Sequence, residues 1–208
     1  MRKFVLAVKD SLCTDAVGVR LHEGDDYPYY TTIGFTESFV SAELSLCRRD
    51  GNGCAIRDRT GSVALDRMCG NVISGRTDSG KPFFTSGGSF CSFGTTGLLA
   101  GTTKEQRGSD TRDRCNGEGY ETVCLVPIRD GDSVVGLLQV NDRREDAFDP
   151  SVVPVLEEVC LLFGEVIGDV LAEEAKVEAE TRSMGLDLAK RIAEIRIMVS
   201  GAPEPPSV

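Results

Sequence analysis

Apolar residues recur along this chain at two periods, one helical and one of strands. Phe4, Val5, Val8 and Leu12 fall at helical spacing and predict a short first helix. AVGVRL (16–21) and YPYYTTIGF (27–35) read as two strands around the polar turn HEGDD, with Gly24 supplying the turn. SFVSAELSL (38–46) has helical character, and RRDGNGCAIRDRTGS (48–62) is a polar loop with three glycines. LDRMCGNVISGR (65–76) predicts a short helix, KPFFTS (81–86) a strand, and TTGLLAGTTKEQRG (95–108) a helix with a threonine N-cap.

The clearest unit comes next. ETVCLVPI (121–128), the turn RDGD and SVVGLLQVND (133–142) predict a hairpin with an Asp-Gly type of turn. From Asp149 and Pro150, which suit a cap and a first turn, apolar residues form a broad helical stripe from Val152 to Val170. The stripe continues, more polar, through Met184, Leu188, Ile192 and Ile195, and stops at GAPEPPSV. The stretch between Val170 and Met184 is too rich in Glu and Ala for a buried core helix, so a long helix is expected to leave the globular part. Its spacing is loosely heptad-like. The expected organisation is a globular domain over 1–171, a helical extension able to form a coiled coil over 172–200, and a disordered tail over 201–208. The fold class is α+β, a central antiparallel sheet flanked by helices.

Composition narrows the classes of partner. The 208 residues carry 40% apolar side chains, enough for a core, and a net charge of −10. The pI near 4.7 argues against nucleic acid and against anionic membranes as partners. No apolar run approaches the ~20 residues of a membrane span, and MRKFVLAVKD lacks the apolar core of a signal peptide. A cytoplasmic location is expected. No nucleotide-binding loop, kinase motif or helix-turn-helix pattern stands out, and a single histidine removes most general-base schemes.

Eight cysteines, at 13, 47, 54, 69, 91, 115, 124 and 160, form no close CxxC pair. Cys124 lies in an apolar strand and Cys160 on an apolar helix face, so both are expected to be core thiols. Cys47, Cys69 and Cys115 each stand at the edge of an element, among polar or glycine residues. Cys115 follows Arg112 and Arg114, and nearby arginines stabilise a thiolate. A reactive thiol, a metal ligand and a small buried hydrophobe are all open for it at this point.

The hairpin with its following helix, VPIRDGDSVVGLLQVNDRREDAFDPSVVPVLEEV, together with DAVGVRL, resembles a GAF domain over residues 1–171. MCGNVISGRTDSGKPFF looks like the segment that closes the GAF pocket. DYPYY, PFFTSGGSF and RCNGEGYE look like GAF domains joined to PAS modules and histidine kinases in prokaryotic signalling proteins. The resemblance implies a sensory role. A ligand would lie between one sheet face and the crossing segments 65–120. The final helix would pass the change to a homodimer partner, a kinase or another effector.

On that resemblance the candidate ligand-binding residues are Cys69, Arg76, Phe83, Phe90, Arg112, Arg114, Cys115 and Tyr120. The arginines suit a small-molecule anion such as a carboxylate or phosphate. If Cys47, Cys69 and Cys115 converge, they could hold zinc or an iron–sulfur centre, with Cys54, Cys91 or a non-cysteine group as fourth ligand. Their spacing matches no local ligand pattern. Ordinary structural thiols and a redox-sensitive pair are the competing readings.

An enzyme is the alternative. GAF-fold reductases of free methionine sulfoxide carry a Cys-Gly and a second cysteine before the hairpin, and Cys69-Gly70 and Cys115 look like those positions. Their glutamate and two aspartates correspond here to Val123, Gln139 and Asn141, which leaves a substrate ammonium without a carboxylate.

Overall fold

Strands β4 (Thr122–Asp130) and β5 (Ser133–Asp142) pair antiparallel from Thr122↔Asp142 to Asp130↔Ser133, with one bulge at Ile128/Arg129. The predicted turn is present, and Gly131 takes the positive φ of 55° that it requires. In this computed structural model, which describes residues 1–59, 61–108 and 113–200, the other strands add on either side. β1 (Ala16–Leu21) pairs with β5, β2 (Tyr29–Ile33) with β1, and β3 (Phe90–Ser92) with β4. The sheet order is β2-β1-β5-β4-β3, antiparallel at every pairing.

Every residue of β1 is buried, as are Thr122–Ile128 of β4, because both faces of the sheet are covered. Helix α1 (Arg2–Leu12) packs against β1 and β2, and Phe4 stacks on Phe163 with ring centroids 4.3 Å apart. On the opposite face the core joins Phe39, Leu46, Cys69, Val72, Phe90, Tyr120, Val123 and Leu125. Alternation along a strand decides these two faces: Val123 and Leu125 belong to this core, while Cys124 and Val126 between them do not.

The second cluster depends on short helices whose ends the sequence pattern misplaced. Helix α2 (Glu37–Ala42) is capped by Thr36, which accepts from Phe39 N at 3.2 Å, and stops four residues short of the predicted end. Its continuation is diverted by two buried arginines. Arg20 donates to the carbonyls of Glu43 and Leu44, and Arg67 to those of Ala42 and Ser45. The Asp26 carboxylate then accepts from the Leu46 and Cys47 amides at 2.8 and 3.0 Å. Helix α3 (Arg67–Ile73) follows as predicted.

Three other expectations are corrected. Residues 81–86 form a turn and one arm of a tight hairpin, with a single bridge Phe84↔Phe90, rather than a strand. The predicted helix 95–108 is two helices, α4 (Thr95–Gly101) and α5 (Lys104–Arg107). Thr103 caps the second in a reciprocal capping box with Gln106, and the residue at the first N-cap is Gly94. Cys124 is not a free core thiol: it lies opposite Cys91 across β3 and β4, and the two are joined by a disulfide. Cys160 is fully buried and free, as expected.

The polar loop 48–62 has its own order. Arg-Asp-x-x-Gly occurs twice, eight residues apart, at Arg49 and Arg57. Each arginine donates to its own glycine carbonyl, Gly53 and Gly61, at 3.0 Å. The amides of residues 48, 56 and 64 then close a ring, each bonding the carbonyl of another member at 2.8–2.9 Å. A period-of-eight turn motif therefore replaces the irregular loop.

Helix α6 (Arg114–Gly117) precedes β4, and α7 (Val153–Ser200) closes the described chain after a 3-10 turn at Pro150–Val152. The chain divides into two compact units, one of residues 1–165 and one beginning at Val166. In the second, the helix continues with Val170, Val177 and Met184 exposed. The tail 201–208 lies outside the described residues, as does Arg112.

Candidate functional site

Between β3–β4 and the segments that cross over them lies a cavity of about 80 Å³. Val123, Leu125 and Phe90 supply its sheet side, Met68 and Cys69 come from α3, and Leu98 and Leu99 from α4. Helix α6 contributes Arg114, Cys115 and Asn116. The wall is mostly apolar, with charged side chains along one edge.

Two thiols meet one amide beside this cavity. Gln139 is fully buried on β5, its Oε1 is 4.0 Å from Cys69 Sγ, and its Nε2 is 3.7 Å from Cys115 Sγ. Tyr29 donates its hydroxyl to the same Oε1 at 2.7 Å, and Asn141 Oδ1 accepts from Nε2 at 3.1 Å. Burial pushes the Cys69 thiol up, and pushes Cys115 up to about 12, with the neighbouring Cys69 adding to it. The Tyr29 hydroxyl is raised as well, by burial first. The arginine beside Cys115 does not make it a thiolate: Arg114 is drawn away to Glu118 at 3.0 Å.

The charged edge is built from distant segments. Arg67 and Glu43 pair at 3.2 Å with both side chains less than a tenth exposed. Arg114 Nε stands 4.0 Å from the same Glu43. Arg107, 6% exposed, donates to Thr102 O and Oγ1 and pairs with Asp113 at 3.4 Å. Arg67 and Asp113 hold positive φ values of 69° and 50°, conformations that non-glycine residues adopt at a cost of order 1–3 kcal/mol. Both strained residues line the cavity.

The sequence candidates separate accordingly. Cys69, Phe90, Arg114 and Cys115 line the cavity, whereas Arg76, Phe83 and Tyr120 are not among its lining residues. Arg76 donates to Asn71 Oδ1 at 3.0 Å and to Leu65 O at 2.7 Å, tying the end of α3 to its start. Phe83 packs with Phe84 and Phe90, and Tyr120 stands edge-on to Phe35 and Phe39. Phe83 and Tyr120 are core residues, and Arg76 is an exposed residue that braces α3. The proposed metal triad is also corrected. Cys47 sits in the eight-residue-repeat loop with its thiol toward Arg48 O at 3.5 Å, and among the described residues no three His, Cys, Asp or Glu side chains are placed to hold a metal ion. His22 packs on Tyr27, with ring centroids 4.9 Å apart.

Glu43, Arg67 and Arg107 were missed. Each is an ordinary charge in its local sequence, and only contacts from other segments bury it. Gln139 and Asn141 were legible as departures from an acidic pattern, and the structure places them against the thiols.

No family model and no curated protein matches the sequence. Solved structures do. The GAF domain of a phosphoenolpyruvate-protein phosphotransferase from Coxiella burnetii is 14% identical, over 83% of this chain and 82% of that one, with a TM-score of 0.52. A GAF domain/HD domain protein from Geobacter sulfurreducens is 12% identical, over 82% and 91%, with a TM-score of 0.52. A type II free methionine-R-sulfoxide reductase from Thermoplasma acidophilum is 11% identical, over 81% and 89%, with a TM-score of 0.50. Among the described residues no helix is long and apolar enough to cross a membrane. A five-stranded antiparallel sheet in the order β2-β1-β5-β4-β3, its pocket closed by α3 to α6, is the fold of a GAF domain, and this chain has that fold.

Proposed function

We propose that this chain is a sensory GAF domain that takes a small ligand into the cavity over β3–β4 and signals through its C-terminal helix, as a homodimer, to an effector. The observation that carries this reading is the state of the two thiols. A cavity with an apolar wall, buried charges along one edge and protonated thiols beside it is equipped to bind and poorly equipped to attack.

The reductase reading draws on Cys69 and Cys115 sharing one cavity. In that chemistry two thiols give two electrons and two protons to a sulfoxide, yielding a thioether, water and a disulfide. The first step needs a thiolate. Burial holds the Cys115 thiol far above the ordinary thiol range, so at neutral pH it stays protonated. Gln139 and Asn141 beside it carry no negative charge to hold a substrate ammonium. Incubation with free methionine sulfoxide and a dithiol donor decides between the two. No consumption above the protein-free control is expected, and turnover that disappears in Cys115→Ser establishes the reductase instead.

A further inference from the structure

We infer that the ligand of this cavity is a small organic monocarboxylate, its head group on the Arg67–Arg107 edge and its hydrocarbon body against Leu98, Val123 and Leu125. This inference rests on the cavity being the ligand site. It adds the charge, the size and the orientation of what enters.

Three features carry it. The first is unsatisfied donors: Arg67 and Arg107 are 8% and 6% exposed, both line the cavity, and the Nε–H of each finds no hydrogen-bond partner among the described residues. A buried guanidinium donor left unmade is costly, and a carboxylate oxygen is the acceptor that best recovers it. The second is charge. Arg67 and Arg107 pair with Glu43 and Asp113 along the lining, and Arg114 pairs with Glu118 just outside it, so the guanidinium donors border the cavity with their net charge matched. A monoanion brings one negative charge to those donors, a phosphate monoester would bring two into a buried site, and an ammonium would be repelled by the guanidiniums. The third is size. A cavity of about 80 Å³ holds roughly five to eight water-sized positions, which fits an acid of about six or seven non-hydrogen atoms. The strained backbones of Arg67 and Asp113 sit on this same edge.

Pentanoate, pentanamide and pentylamine test the three features with one hydrocarbon body. Each is titrated at millimolar concentration into the full chain, and binding is read by calorimetry and by the shift in melting temperature. Pentanoate is expected to bind and to raise the melting temperature, while the amide and the amine do neither. Arg107→Met should weaken pentanoate at least tenfold, and Leu98→Trp, which fills the cavity, should abolish it. If Arg107→Met fails to fold, the comparison of acid with amide on the unaltered chain still decides. Amide or amine binding as well as the acid, and lost in Leu98→Trp, overturns the anionic class and leaves the ligand cavity standing. Pentanoate binding that persists in Leu98→Trp overturns its placement. If none of the three binds, both this inference and the ligand-cavity reading fall.

Discussion

Gln139 donates its Nε2–H toward Cys115 Sγ across 3.7 Å, from a side chain that is 1% exposed. The carbonyl end of the same amide accepts from Tyr29 and faces Cys69. One neutral side chain therefore orders both thiols and a hydroxyl, where a carboxylate would repel thiolate charge on either side. Burial keeps both thiols protonated in spite of that Nε2–H donor, and this has consequences that can be measured.

Stability should fall at alkaline pH. Cys115 and Cys160 both stand near 12 in the folded chain because burial disfavours the thiolate, against 9.0 in an open chain. Below pH 9 neither state has lost the proton and the contribution is present in full. Between pH 9 and 12 the unfolded chain ionises while the folded one does not, so stability drops by ~1.4 kcal/mol per pH unit for each thiol. Urea melts from pH 8 to pH 10.5 (roughly the accessible window) should show this slope. Cys160→Ala should flatten it by about one thiol's share, and an unchanged slope would contradict the assignment.

The Glu43–Arg67 pair should be strongly coupled. Both side chains are buried, and removing one partner leaves a charge in a low-dielectric site. Glu43→Gln and Arg67→Met should each cost about 3–5 kcal/mol, and the double variant distinctly less than the sum. Denaturant unfolding of the four proteins gives the cycle. Additive losses would show that the two charges are solvated independently.

Gly164 is where α7 crosses β4 too closely for any side chain. A Cβ there would stand 1.9 Å from Arg129 O, a backbone atom that cannot move aside without breaking the strand. Gly164→Ala should destabilise the fold by about 1–3 kcal/mol, although alanine is the better helix former. The midpoint of chemical denaturation measures it. A neutral or stabilising effect would mean the helix does not sit at this distance from the strand.

Self-association is expected through the terminal helix. Val170, Val177 and Met184 are 52%, 53% and 73% exposed and recur at intervals of seven, the spacing of a coiled-coil seam. A solitary helix of this composition is marginal in water without a partner. Light scattering at tens of micromolar (on the order of a weak dimer's dissociation constant) should give twice the chain mass, and a chain ending at Leu171 should give a monomer or a weaker dimer. A monomer mass for the full chain rules out this arrangement.

The strands β1, β4 and β5 and the turn at Gly131 could be read directly, because local pattern and partner lie close together in the chain and each strand's apolar run exceeds what a solvated face would carry. The 3-10 turn that leads into α7 was legible from Asp149 and Pro150 for the same reason: a cap is a local device, and Asp149 does accept from Ser151 N at 2.8 Å. Cys69 and Cys115 could be singled out by their polar settings. What they face could not, since Gln139 reaches them from a strand that is remote in sequence. The early end of α2 depends on Arg20 and Arg67 taking its carbonyls, and the charged edge depends on Glu43, Arg67, Arg107 and Asp113 being brought together. The sequence determined which segments prefer helix or strand. The tertiary structure decided which charges lose their water, because desolvation is a property of the surroundings that distant segments build, and no residue carries it alone.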